Sequence, residues 1–272
     1  MNKVVKSSEI KATLKEPVSE SEAKFGTQLH LSSSNLANYI EAVQPLKKGI
    51  TVKAKKSKKM IEHIPCLYLP HEDGGNKLVL YFHGNAEDIG LAFDLLYLFG
   101  QRMEMHVLAI EYPGYGLYKT SKPSEQQIKE DSEIIYDYLT KCIGIKESDI
   151  ILFGRSMGSG PTSYLSSIKQ PHSLLLMSPF TSIKEAARSL LGWASFVSFV
   201  VYEKFRNIDS IKKAKCPVFL LHGQKDTLIP HSHSQELHAA CPTESFLHLP
   251  EKMDHNEFLL DEDLIEPFKQ FI

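Results

Sequence analysis

The residues best suited to chemistry in this chain are a serine, an aspartate and a histidine that occur in that order. Ser156 is the centre of Gly154-Arg155-Ser156-Met157-Gly158, which fits the pattern G-x-S-x-G. Asp226 follows an apolar run, and His255 lies near the end of the sequence. A serine hydroxyl becomes a strong nucleophile when a histidine takes its proton and a carboxylate orients that histidine. The three residues therefore predict nucleophilic attack on a carbonyl carbon.

The expected reaction proceeds through an acyl-serine. His255 accepts the proton of Ser156 and later returns it to the leaving group, while Asp226 stabilises the imidazolium. Water then releases the acyl group. Because side chains supply both nucleophile and base, we expect no metal and no organic cofactor. His231 and His233 form a local pair, but they lack the further ligands of a metal site.

A second segment, Leu80–Ala86, carries a His-Gly turn after an apolar run. An oxyanion hole of this type has two backbone N–H donors. One comes from the residue after the nucleophile, and the other comes from a loop after an earlier strand, such as this turn. We predict that the backbone N–H groups of Asn85 and Met157 stabilise the developing oxyanion. We expect His83 to shape this loop by hydrogen bonding, and His222, in a similar His-Gly pair before Asp226, to be structural.

Short apolar runs alternate with helical stretches after residue 76, which is typical of βα units around a mostly parallel sheet. The runs are Leu78–Phe82, Val107–Ile110, Ile150–Phe153, Leu174–Met177, Val218–Leu221 and a weaker Phe246–Leu249. Glu125–Ile143 has helical periodicity after Ser124, a suitable N-cap. We expect Met253–Phe258 to open a C-terminal helix. The order Ser, Asp, His is that of the α/β-hydrolase fold, which we predict here with helices on both sheet faces.

The 272 residues suit one domain preceded by a leader. Residues 1–49 are polar, and we expect a loosely attached leader, with partial disorder as an open alternative. The hydrolase domain is predicted over residues 50–272, starting with an antiparallel hairpin of 50–55 and 61–69. Lysines crowd the turn of this hairpin. They either protect a sheet edge from pairing or contact an anionic membrane surface.

An apolar block lies in residues 180–206, where α/β-hydrolases commonly insert a lid. It contains Trp193, Phe196 and Phe199, which we select as candidate substrate contacts. Three interpretations stay open. The block lines a pocket for an acyl chain, packs a cap helix onto the core, or contacts a membrane interface.

The overall composition narrows the class of partner and the compartment. A formal net charge of −2 provides no basic field for nucleic acid. The four cysteines include no CxxC pair, so we expect free buried thiols in a reducing compartment. The first residues resemble neither an export signal nor an acylation signal, and the longest uncharged run, Leu190–Val201, is shorter than the roughly 20 residues of a membrane span. We expect a cytoplasmic protein, with peripheral membrane contact as an open alternative.

Several motifs together resemble those of the α/β-hydrolase domain-containing proteins of the serine aminopeptidase-like superfamily. They are Phe82–Gly90, Glu111–Gly116, Gly154–Gly158, Leu221–Asp226 and Asp254-His255. Within that superfamily the chain looks most like the cytoplasmic acyl-protein thioesterases, which remove palmitate from proteins. The resemblance covers about residues 60 to 272. It implies Ser156, Asp226 and His255 as the catalytic residues, the same three that the individual segments predict.

The sequence differs from that thioesterase branch in two features. Its members resemble one another in a cysteine-rich N-terminus, whereas the first cysteine here is Cys66. They also tend to have Gln before the nucleophile, where this chain has Arg155. Our leading hypothesis is a hydrolase of acyl esters or thioesters, with palmitoylated proteins as the most concrete substrate. The alternatives are a peptidase or small-molecule carboxylesterase with the same triad, and a catalytically silent scaffold that binds a partner.

Overall fold

The computed structural model describes residues 12–15, 48–55, 61–72, 75–118, 123–191 and 204–272. Side chains are described in 64–72, 75–118, 123–189 and 204–272. The predicted lid residues Trp193, Phe196 and Phe199 lie outside the described residues, as do the side chains of the lysine-rich turn.

A nine-stranded sheet forms the centre of the molecule. Its strands are β1 (Ala12–Lys15), β2 (Lys48–Lys55), β3 (Ile61–Leu69), β4 (Leu78–Phe82), β5 (His106–Ile110), β6 (Ile150–Arg155), β7 (Ser173–Met177), β8 (Val218–Leu221) and β9 (Ser245–His248). The order is β1-β2-β3-β5-β4-β6-β7-β8-β9. The pairs β1–β2, β2–β3 and β3–β5 are antiparallel. All the other pairs are parallel. The mostly parallel sheet and its N-terminal hairpin are thus confirmed, while β1 was not predicted.

Helices cover both faces of the sheet. They are α1 (Phe93–Met103), α2 (Glu125–Asp137), α3 (Ser159–Ile168), α4 (Ile183–Leu191), α5 (Asn207–Ile211), α6 (Ser232–Ala240) and α7 (Glu266–Phe271). Side chains alternate between the faces of a strand. Leu80 therefore packs in one core with Ile135 and Leu165, whereas Tyr81 packs in the other with Phe99. This alternation buries all five residues of β4.

The predicted helix after Ser124 is confirmed, including its cap. The Ser124 hydroxyl oxygen accepts a hydrogen bond of 3.1 Å from the N–H of Gln127. Beyond Asp137 the helix continues as a π-helical turn, Tyr138–Ile143. Cys142 lies on this turn and is exposed, so the prediction of uniformly buried thiols was wrong there. The four cysteines are free, and burial raises the pKa of Cys216 to about 12.

The parallel strands bring the predicted site residues to one edge of the sheet. The carboxyl ends of parallel strands lie at the same edge, and the loops after β4, β6, β8 and β9 leave from there. His255 follows β9 in a loop, and the next helical turn begins only at Leu260, later than predicted. The Asp254 carboxylate accepts hydrogen bonds from the N–H groups of Asn256 and Glu257, which hold this loop in a turn.

No helix among the described residues is both long and apolar enough to cross a lipid bilayer.

Candidate active site

Ser156 lies on a sharp turn between β6 and α3. Its φ is +50°, a left-handed conformation that is costly for a residue with a side chain. The flanking glycines allow this turn. A Cβ on Gly158 would lie 2.0 Å from the carbonyl oxygen of Phe82, and one on Gly154 would lie 2.3 Å from Oγ1 of Thr162. The G-x-S-x-G pattern therefore has a steric cause, since any larger side chain would clash at either position.

Ser156, His255 and Asp226 form one continuous hydrogen-bonded chain. The Nδ1 atom of His255 lies 2.7 Å from Oδ2 of Asp226, and its Nε2 atom lies 3.1 Å from Oγ of Ser156. Because a carboxylate only accepts, Nδ1 donates to Asp226, which leaves Nε2 free to accept from the serine hydroxyl. Both His255 and Asp226 are more than nine-tenths buried. The arrangement has the connectivity that a nucleophile, its base and an orienting carboxylate require.

Asp226 is held ionised by its surroundings. Burial by itself would raise the pKa of this carboxyl group. Hydrogen bonds from His222, from His255 and from the N–H of Ile229 act in the other direction and hold the pKa well below its usual value. Its second oxygen, Oδ1, accepts from the N–H groups of Leu228 and Ile229 at 2.9 and 2.8 Å. Two N–H donors thus fix one oxygen and leave the other to face the histidines.

His222 contacts the carboxylate that orients His255. Its Nε2 atom lies 2.8 Å from the carbonyl oxygen of Ile229 and 3.2 Å from Oδ2 of Asp226, while Nδ1 lies 2.7 Å from Oγ of Ser234. The following glycine lets the loops before Asp226 and His255 meet. A Cβ on Gly223 would lie 2.1 Å from the carbonyl oxygen of Met253.

The loop after β4 lies directly against the nucleophile. A Cβ on Gly84 would be 3.7 Å from Cβ of Ser156, so the His-Gly turn that directly precedes Asn85 lies beside the serine. Met157 lies in the first helical turn after the serine, where N–H groups have no partner within the helix. Tyr115 connects these two segments, because its hydroxyl donates to Oδ1 of Asn85 at 2.7 Å and lies 3.8 Å from Sδ of Met157.

His83 is fully buried beneath this loop and contacts hydrogen-bond acceptors on both sides. Nδ1 lies 2.8 Å from the carbonyl oxygen of Gly84, and Nε2 lies 2.9 Å from Oε1 of Glu111. The same carboxylate accepts from the N–H groups of Ile89 and Tyr112. Glu111 therefore ties the loop after β4 to the loop after β5.

Polar contacts also fix the described base of the predicted lid. Nδ1 of His233 lies 2.9 Å from Oγ1 of Thr181, and its Nε2 atom lies 3.2 Å from Oγ of Ser189 on α4. Burial lowers the pKa of His233, which favours the neutral ring. The amide of Asn207 donates to Ser159 and to the carbonyl oxygen of Phe180, joining α5 to the helix after the nucleophile.

Among the described residues no cluster of His, Cys, Asp and Glu is arranged to hold a metal ion.

Sequence reasoning missed the supporting residues of this site. Glu111 and Tyr115 lie in a motif that was quoted only for its family likeness, and Glu87 was given no role. A usable signal existed for Glu111, because a charged residue directly after a buried strand needs a partner. No local pattern pairs Tyr115 with Asn85, because the contact depends on how two loops meet.

Comparisons with known proteins place the chain among hydrolase-fold proteins. No protein-family model matches it. It is 30% identical over 207 residues to alpha/beta hydrolase domain-containing protein 17C of Xenopus tropicalis, covering 76% of this chain and 65% of that protein. It is 29% identical over 207 residues to the human protein of the same name, covering 76% of this chain and 61% of that protein. The chain thus spans less than two thirds of the length of these relatives.

Solved structures give the same result for the fold. An alpha-beta hydrolase from Vibrio vulnificus superimposes with a TM-score of 0.65 at 20% identity, over 89% of this chain and 84% of that chain. Acetyl xylan esterase from Paenibacillus sp. R4 gives a TM-score of 0.62 at 14% identity, over 92% and 98%. Est1E from Butyrivibrio proteoclasticus, solved with ferulic acid, gives a TM-score of 0.60 at 18% identity, over 77% of this chain and 94% of that chain. The chain therefore has the α/β-hydrolase fold, and its curated relatives are α/β-hydrolase domain-containing proteins.

Proposed function

We propose that this protein is a serine hydrolase of acyl esters or thioesters, with Ser156 as nucleophile, His255 as general base and Asp226 as the orienting carboxylate. One observation carries the proposal. The hydrogen-bonded chain from Asp226 through His255 reaches a serine whose strained turn follows a buried strand. Such a constellation transfers the serine proton as the C–O bond to the substrate forms.

In the proposed acylation step, Oγ of Ser156 attacks the carbonyl carbon while Nε2 of His255 takes the proton. The backbone N–H groups of Asn85 and Met157 donate to the oxygen that becomes negative. His255 then protonates the leaving alcohol or thiol, and the acyl-serine forms. Water attacks the acyl-serine by the same route, which restores the serine hydroxyl. Apart from the substrate and this water molecule, protein side chains and backbone supply every group in the two proposed steps.

The most concrete substrate in this proposal is a palmitoylated protein, reached by peripheral contact with a membrane from the cytoplasm. The likeness to the α/β-hydrolase domain-containing proteins 17C supports a hydrolase. A small-molecule carboxylesterase is the second candidate, favoured by structural neighbours that are named as esterases, such as acetyl xylan esterase from Paenibacillus sp. R4 and EaEST from Exiguobacterium antarcticum. A peptidase activity and a silent binding scaffold are the remaining alternatives, the former suggested by a puromycin-hydrolyzing peptidase of the same fold.

The deciding experiment measures hydrolysis of chromogenic acyl esters and thioesters from about two to about sixteen carbons. We expect turnover to increase with chain length and to vanish in Ser156→Ala. Ser167→Ala is a matched control, because that hydroxyl lies in the last turn of α3 and donates to the carbonyl oxygen of Tyr164. Turnover only on the shortest esters would select the second candidate. No turnover on any of them, with the protein folded, would favour the scaffold.

A further inference from the structure

Arg155 precedes Ser156 and contacts the two loops that flank the serine. Its Nη1 atom donates to Oε2 of Glu87 at 3.1 Å. Its Nη2 atom donates to Oδ1 of Asn256 at 3.0 Å and lies 3.4 Å from the carbonyl oxygen of His255. One guanidinium group therefore contacts the loop after β4 and the loop after β9. A guanidinium group carries donors on separate nitrogens in a rigid planar fork, so Nη1 and Nη2 can each bind a different loop, whereas all donors of Lys or Gln lie on one nitrogen.

The contact with Glu87 reaches the backbone of the predicted oxyanion hole. Oε2 of Glu87, which accepts from Arg155, also accepts from the N–H of Gly84 at 2.9 Å. Gly84 directly precedes Asn85, whose N–H is the proposed donor. The chain of contacts from Arg155 through Glu87 to Gly84 therefore restrains the position of that N–H.

Both partners of this ion pair are largely removed from water. The side chains of Arg155 and Glu87 are each 14% exposed. By contrast, Arg102 and Asp261 form an ion pair whose side chains are 57% and 54% exposed. A sheltered, charge-assisted pair holds its geometry more tightly than an exposed one, since water and salt screen the exposed charges. The environment thus suits Arg155 to positioning rather than to solubility.

We propose that Arg155 is a positioning residue that holds the predicted oxyanion loop and the His255 loop at fixed distances from Ser156. It touches no reacting atom in this role. It acts through Glu87 and Gly84 on one side and through Asn256 and the His255 backbone on the other. This inference rests on the proposed function for its kinetic consequence, but the restraint on the two loops is a property of the folded protein alone.

The test compares wild type with Arg155→Met, Arg155→Lys and the exposed control Arg102→Met. Hydrogen exchange is measured in segments 84–90 and 254–258. We expect exchange in both segments to rise several-fold in Arg155→Met, with the central strands unchanged. Arg155→Lys keeps the charge, but its donors all lie on one nitrogen, so we expect that nitrogen to bind one of the two loops and exchange to rise in the segment that it leaves. If Arg155→Met does not fold, hydrogen exchange in Arg155→Lys tests the proposed role of Arg155. Arg102→Met should show the same exchange as wild type in both segments.

The kinetic part separates positioning from general stability. Misplaced catalytic groups weaken the transition state more than the bound substrate, so kcat should fall about 10- to 100-fold in Arg155→Met while KM stays within about threefold. The inference would be overturned by unchanged exchange in either segment of Arg155→Met, by unchanged exchange in both segments of Arg155→Lys, or by unchanged kcat in an active Arg155→Met protein. If wild type hydrolyses no acyl ester or thioester, the proposed function fails, and the exchange measurement still decides the role of Arg155.

Discussion

Two His-Gly pairs follow buried strands at the same edge of the sheet, yet their carboxylate partners differ. His83 and His222 are both fully buried, and each contacts a carboxylate. Glu111, the partner of His83, is otherwise bonded to backbone N–H groups. Asp226, the partner of His222, also holds His255. The His-Gly pair at His83 thus helps to hold two loops together, whereas the pair at His222 supports the candidate triad.

This difference shows that the role of a buried histidine depends on what its carboxylate partner contacts next. Where the other contacts of the carboxylate are backbone N–H groups, loss of the pair should lower the free energy of unfolding. Where one oxygen also faces a general base, loss should affect turnover as well. Four experiments test this difference between the two histidines, and their expected effects decrease from the first to the last.

Asp226→Asn should give the largest effect, a fall in kcat of about 10⁴-fold. The amide oxygen can still accept from the N–H groups of Leu228 and Ile229, but the amide nitrogen would face Nδ1 of His255 and favour the wrong tautomer. The measurement is kcat per folded molecule, with folding checked by circular dichroism. A loss of less than about tenfold would contradict the role assigned to Asp226.

Glu111→Gln should mainly destabilise the fold, by about 1 to 3 kcal/mol, because it replaces a buried oxygen that accepts from His83 or from a backbone N–H with an amide group that can only donate. Urea unfolding measures this change. Glu185→Gln, which removes an exposed pair with Arg188, is the matched control and should cost less than about 1 kcal/mol. Equal costs for the two variants would mean that Glu111 does not hold the two loops together.

A pair of double-mutant cycles should separate the two histidines directly. His222→Gln and Asp226→Asn act on the same contact, so their unfolding free energies should be non-additive by about 0.5 to 3 kcal/mol. His83 contacts a different carboxylate, that of Glu111. The changes in unfolding free energy of His83→Gln and Asp226→Asn should therefore be additive within about 0.5 kcal/mol. Equal coupling energies in both cycles would mean that His83 and His222 do not differ in their relation to Asp226.

The smallest expected effect is on the pH dependence of stability. The pKa of Asp226 lies below the value of about 3.9 for an unfolded aspartate, so its stabilisation is present above that pH and is lost as the pH falls. Between pH 5 and pH 3 the advantage of wild type over Asp226→Asn should shrink by about 1 kcal/mol. For the exposed Asp209, paired with Arg206, Asp209→Asn should show a smaller change. An advantage that grows toward pH 3 would contradict the assignment.

Much of the fold could be predicted because its signals are local. Strands such as Leu78–Phe82 are continuous apolar runs, since both faces of a central strand are buried. The cap at Ser124 and the glycines around Ser156 are also local, because each meets a steric or hydrogen-bonding need of its own turn. Ala12–Lys15 carried no such signal, and its strand depends on pairing with β2.

The candidate site divides in the same way. The sequence alone determined Ser156, Asp226 and His255 as candidates, because strand, turn and residue type coincide at each and their order limits the fold. The folded arrangement was needed to find that His222 shares a carboxylate with His255, that Tyr115 donates to Asn85, and that Arg155 contacts two loops. The physical reason is distance along the chain. Contacts between separate loops arise from how strands order in a sheet, and no local pattern records that order.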